Sequence, residues 1–129
     1  MTSKLQVDNL EGRTTKGSIT VTGECSGSST NLQQGLCKAW TIYQGSASTP
    51  APLGSLNVAS ITDNSAGNHS ANFTNNMNDV NYAVANAAIT NHCGDNDHYT
   101  NYSMITTSDN SHSQADCTRV NHAVFGDLA

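Results

Sequence analysis

The densest group of side chains able to do chemistry lies between positions 92 and 98: His92, Cys93, Asp95, Asp97 and His98. Imidazole, thiolate and carboxylate are the ligand set of a tetrahedral zinc site, but the spacing fits no finger pattern. Asp95-Asn96-Asp97 lacks the glycine and the distal glutamate of an EF-hand loop. No metal and no cofactor are therefore assigned. A nucleophilic enzyme needs Ser or Cys beside a His held by a carboxylate, and the chain has no Gly-x-Ser-x-Gly elbow. Asp95, Asp97, Asp109 and Asp116 supply carboxylates for glycoside hydrolysis, with little chain left to build a cleft around them. The expectation is a protein that is not an enzyme. Exposed Asn, Tyr and His suit a different task, holding sugars through amide hydrogen bonds and ring stacking. On that reading His92, Asp95, Asp97, His98, Tyr99 and Tyr102 are the candidate receptor-binding residues, and loops over 43–53, 92–99 and 109–116 form the outward tip.

Composition narrows the classes further. Of 129 residues, 36% are apolar and 12% charged, both well below the roughly 45–50% and 25% usual in a globular domain. The difference is made up by Asn, Ser, Thr and Gly, the neutral polar residues that β-structure carries on exposed faces. High net charge with low hydropathy marks disorder, and here the net charge is only −5. A chain so short of apolar surface gains by associating with copies of itself. Lys4, Arg13, Lys16, Lys38 and Arg119 are its only cations, too few and too scattered to track phosphates, so nucleic acid is not an expected partner. No apolar run approaches the ~20 residues of a membrane helix, and no insertion into a membrane is expected. Met1-Thr2-Ser3-Lys4-Leu5 lacks the apolar core of a secretory signal, so the expected site of synthesis is a cytoplasm. Cys25, Cys37, Cys93 and Cys117 permit three disulfide pairings, and their spacing selects none.

The elements that position these residues read as β throughout. Ser18 to Gly23 alternates polar and apolar, with Ile19 and Val21 on one face. Small residues over 25–30 mark a boundary, and Asn31 caps one turn of helix with Leu32 and Leu36 on one stripe. Further strands are expected over 38–43, 56–62, 70–74, 81–90, 99–107 and 118–125, each stopped by Gly, Pro, Asn or Asp. A row of Ala83, Ala85 and Ala87 along one face points to close packing against another strand layer or another chain. The only tryptophan, Trp40, is expected packed in the base of the domain. The fold class is all-β: a short extended N-terminal segment (1–30) followed by an antiparallel, jelly-roll-like β-sandwich (31–129).

Three segments together resemble small virion proteins of tailed bacteriophages. Ser3 to Gly12 with Gly17-Ser18-Ile19-Thr20-Val21 resembles the family's attachment segment, and Asn31 to Trp40 its junction. Leu56 to Asn64, Asn72-Phe73-Thr74, Asn81-Tyr82-Ala83-Val84 and Ala123 to Asp127 resemble its β-domain. The chain departs from the family over 43–52, which replaces a tighter Asn/Gly-rich turn. The resemblance implies a homotrimeric short fibre or spike of tail or head, carried in the virion and bound to other virion proteins through its N-terminus. Leu5, Val7, Leu10, Ile19, Val21, Leu32 and Leu36 would then cover one another at the trimer and attachment interface. A host surface glycan is the expected ligand of the tip. The alternatives are a decoration or cement protein of the capsid shell and, in another class, a carbohydrate-binding adhesin module.

Overall fold

From Cys37 onward the chain is built of short alternating runs, and nearly every run becomes a strand. The computed structural model describes residues 4–13, 19–22, 29–89 and 92–129. The flanks Ser18 and Gly23 of the first strand and Cys25 to Ser28 of the linker lie outside the described residues, as does Cys25 in any disulfide. Two compact units result, Met1–Gly35 and Leu36–Ala129. The division falls after Gly35, beyond the expected 30, because Leu32 is tied back by its N–H to the carbonyl of Ile19 at 2.9 Å.

In the first unit β1 (Thr20–Thr22) pairs antiparallel with β2 (Ser29–Asn31), and α1 (Leu32–Gly35) is the expected single helical turn. Strands this short are marginal without further cover.

The second unit is an antiparallel all-β sandwich. Its strands are β3 (Cys37–Tyr43), β4 (Pro52–Leu56), β5 (Val58–Ser65), β6 (Asn68–Phe73), β7 (Ala83–Ala88), β8 (His92–His98), β9 (Tyr102–Ser108) and β10 (Val120–Phe125). They form two four-stranded sheets, in the orders β4-β3-β10-β7 and β5-β6-β9-β8. Eight strands in two sheets is the strand count of a jelly roll. Here β3–β4, β5–β6 and β8–β9 stay within one sheet as hairpins, and the other links pass between sheets. Pro52 opens an edge strand, the position where a missing N–H removes no ladder bond.

The core lies between the sheets. Ala39, Tyr43, Val120 and Val124 from one sheet meet Ile61, Ala71, Phe73 and Ile105 from the other. Thr41, His69, Ser103, Thr107 and His122 are buried with them. His122 is held by Asn86, its Nδ1 lying 2.6 Å from the amide oxygen. Polar residues at inward positions explain why the apolar fraction reads so low for a chain with a real core.

Three expectations are corrected. Trp40 does not pack inside: it faces outward at 37% exposure, because Thr41 and Tyr43 take the inward positions of β3. The expected strand from Leu56 is cut at Asn57, whose φ of 54° turns the chain from one sheet to the other. Asn tolerates this left-handed conformation, and its side chain clamps Asn75 through bonds of 2.7 and 3.0 Å. Residues 92–98, expected as a loop, form β8, because pairing with β9 satisfies their backbone despite a composition poor in strand formers.

Candidate functional site

The sandwich has two ends. At one end β3 begins, and Asn57, the segment 74–82, the β8–β9 turn and residues 126–129 gather. At the other lie the loops 44–51, 66–67 and 109–119. Because β8 is a strand, His92 and His98 are about 20 Å apart at ~3.3 Å per residue, and the expected cluster separates. Among the described residues no three His, Cys, Asp or Glu side chains come together as a metal site. The side chain of Asp95 lies outside the described ones, and Asp97 is exposed.

His98, Tyr99 and Tyr102 sit at the end of the sandwich where β3 begins. The rings of Tyr82 and His98 stack at 4.3 Å, as do those of Tyr99 and Tyr102. The Tyr82 hydroxyl donates to the carbonyls of Tyr99 (3.0 Å) and Tyr102 (3.1 Å), fixing the hairpin. Desolvation first, then the hydrogen bond and charge of Tyr99 and the charge of Asp97, raise the Tyr102 phenol above its ordinary pKa. These aromatics brace this end of the sandwich.

His92 goes the other way. Its ring lies 5.4 Å from that of His112, and both side chains are exposed. His112 has φ 61°, unusual for a side-chain-bearing residue and held by its surroundings. The Asp109 carboxylate accepts the N–H groups of Ser111 (2.8 Å) and Ser113 (3.0 Å), and the Asp109 carbonyl accepts that of His112 (3.0 Å). The turn is thus preformed. Sequence reading placed 109–116 in the tip but did not single out His112; the signal present was an Asx-turn run, Asp109-Asn110-Ser111.

Beneath this loop the interior is tightly fixed. Gly67 has φ 69°, and a Cβ there would stand 2.3 Å from the Thr107 carbonyl oxygen and 2.5 Å from the Ala115 nitrogen. Its N–H donates to Asp116 Oδ1 at 2.6 Å, and that oxygen lies 3.9 Å from His69 Nε2. Thr107 Oγ1 donates to the Ala115 carbonyl at 2.7 Å, and Ser46 N–H to that of Cys117 at 3.0 Å. Burial, with smaller contributions from Cys93, Cys117 and Asp116, holds the Tyr43 phenol far above its ordinary pKa. Burial likewise raises the Cys117 thiol, the reverse of what an attacking thiolate needs. Cys37 and Cys117 are free thiols. The arrangement presents a rigid surface of amides, hydroxyls and two imidazoles, suited to hydrogen-bonded recognition.

The N-terminal candidates divide by exposure. Leu5, Val7, Leu10, Val21 and Leu36 are exposed, while Ile19 and Leu32 are half-buried. Comparison with protein-family models, with curated proteins and with solved structures finds no match to this chain.

Proposed function

We propose that the chain is a non-enzymatic structural protein of a tailed-bacteriophage virion, a homotrimeric short fibre or spike. The N-terminal unit joins copies to one another and to other virion proteins. The sandwich displays its loop end, away from the start of β3, for attachment to a host surface glycan. The observation that carries this reading is the uncovered apolar side chains of the first unit, with Leu5 at 79% exposure and Val7, Leu10 and Val21 all above half. Such residues in one small unit mark a surface that another chain covers. Three copies also multiply weak contacts at the loop end into useful avidity.

Light scattering on the full-length chain tests it. The expected mass is three times the 13.5 kDa of one chain, falling to that of one chain when Leu5, Val7 and Leu10 are all changed to Ser. A monomeric wild type overturns the reading. On a glycan array the trimer is expected to bind, and His112→Ala to bind less; a trimer that binds none belongs to shell decoration instead.

A further inference from the structure

We propose that the outward face of the β4-β3-β10-β7 sheet is a contact between copies of this chain, the β3 ridge of one seated against the alanine groove of the next. The inference rests on the homotrimer reading above and adds a second contact surface to it.

Register puts the relevant residues in rows. Leu56, Trp40, Ala123 and Ala85 stand side by side across the four strands, and Gly54, Ile42, Asn121 and Ala87 form the next row. Gly54 matters here: a Cβ there would be 3.5 Å from Trp40 Cζ3, so the indole covers this stretch of β4. Trp40, Ile42 and Leu56 make a ridge on one half of the face. Between that ridge and β7 a groove of about 290 Å³ runs over β10, with Ala123 and Asn121 below, Trp40 and Ile42 as one wall and Ala85 and Ala87 as the other. The ridge and the groove beside it differ in shape, so each copy can offer its ridge to one neighbour and its groove to another. That is the head-to-tail arrangement which closes into a ring.

Charge and area decide the occupant. The chain carries −5, so copies repel except where carboxylates are absent, and strands β3, β4, β7 and β10 contain none. A basic partner would find no carboxylate to pair with there, and the one cation of these strands, Lys38, is buried. Four strands at about 4.8 Å and six residues at about 3.3 Å give a face of roughly 400 Å², about half of the ~800 Å² each side of a stable, free-standing complex contributes. The face therefore suits a partner already held close by another contact. Copies gathered through the N-terminal apolar residues meet that condition, because tethering turns a weak contact into an intramolecular one.

Trp40 is the only tryptophan, so its emission reports this face directly. The experiment uses the full-length chain: scattering mass over a dilution series, together with Trp40 emission, for wild type, Ala85→Arg, Ala87→Lys and, on the opposite face, Thr62→Arg. Ala85, Ala87 and Thr62 are exposed, and thermal melts confirm that each variant folds; should Ala85→Arg fail to, Ala87→Lys carries the same reading. The expected result is a trimer with blue-shifted emission. Ala85→Arg and Ala87→Lys should raise the concentration at which the trimer dissociates at least tenfold and shift emission to the red, while Thr62→Arg does neither. A trimer whose dissociation and emission ignore both alanine variants overturns this inference and leaves the N-terminal assembly standing. A monomer with red emission overturns both readings. A monomer with blue emission overturns both readings as well.

Discussion

The two outward faces of the sandwich are built from the same kinds of strand and solve opposite problems. The face of β4-β3-β10-β7 carries Trp40, Ile42, Leu56 and a row of alanines, with Asn121 its one polar side chain along β10. The β5–β6 half of the β5-β6-β9-β8 face is a ladder of amides and hydroxyls bonded to each other. Asn72 Nδ2 donates to Ser60 Oγ (3.1 Å) and Thr62 Oγ1 (2.9 Å), and Asn64 Nδ2 to Asn68 Oδ1 (3.1 Å) and Ser70 Oγ (2.9 Å). A face whose polar groups already satisfy one another is stable in water without a partner. A face with almost none gains most when another surface removes it from water. The difference teaches that the neutral composition of this chain is not uniform: it is divided between a polar, self-satisfied side and an apolar one.

The ladder depends on register, and Gly67 sets the register of the β5–β6 hairpin. Gly67→Ala forces a Cβ onto the Thr107 carbonyl in a conformation that side chains rarely adopt. It is expected to cost about 3 kcal/mol, read as a fall in thermal midpoint. An unchanged midpoint would mean that this turn does not pin the polar face. Asn72→Ala has a smaller effect, about 1 kcal/mol for the lost bonds. Its scattering mass should stay that of wild type, because the proposed contact lies on the other face. If mass fell and stability held, the two faces would have exchanged roles.

The smallest effect lies between the faces. Tyr43 Oη has no hydrogen-bond partner among the described residues, so Tyr43→Phe should change stability at neutral pH by less than about 0.5 kcal/mol. The pH dependence is more telling. Burial raises both Tyr43 and Cys117 in the folded state, so the native chain keeps protons that the unfolded chain releases. Their stabilisation is complete below the ordinary thiol and phenol values of about 8.5 and 10. It is lost as pH rises beyond them toward the raised folded values. Thermal midpoints should be level to about pH 8.5 and then decline, less steeply in Tyr43→Phe. A midpoint that rises there contradicts the buried placement of both groups.

Much of the β-architecture was legible because strands leave a period of two in the residues and turns leave Gly, Asn and Asp. The hairpin from Ile61 to Phe73 and the closing strand at Val120 were readable in this way. β8 was not, since His92-Cys93-Gly94-Asp95-Asn96-Asp97-His98 has the composition of a loop and becomes a strand only through its pairing with β9. That one difference separates the expected set, with Tyr99 and Tyr102 at the end where β3 begins and His92 beside His112 at the other.

By itself the sequence determined an all-β chain, weakly charged, with an apolar N-terminal set that its own short segment leaves exposed. Alternation says which residues share a side of a strand but is unchanged when the two sides are exchanged. Only the packing of one sheet on the other, with Tyr43 against His69 at 5.3 Å, decided that Thr41 and Tyr43 turn inward. Trp40 and Ile42 were thereby left outside, beside a groove floored by alanine.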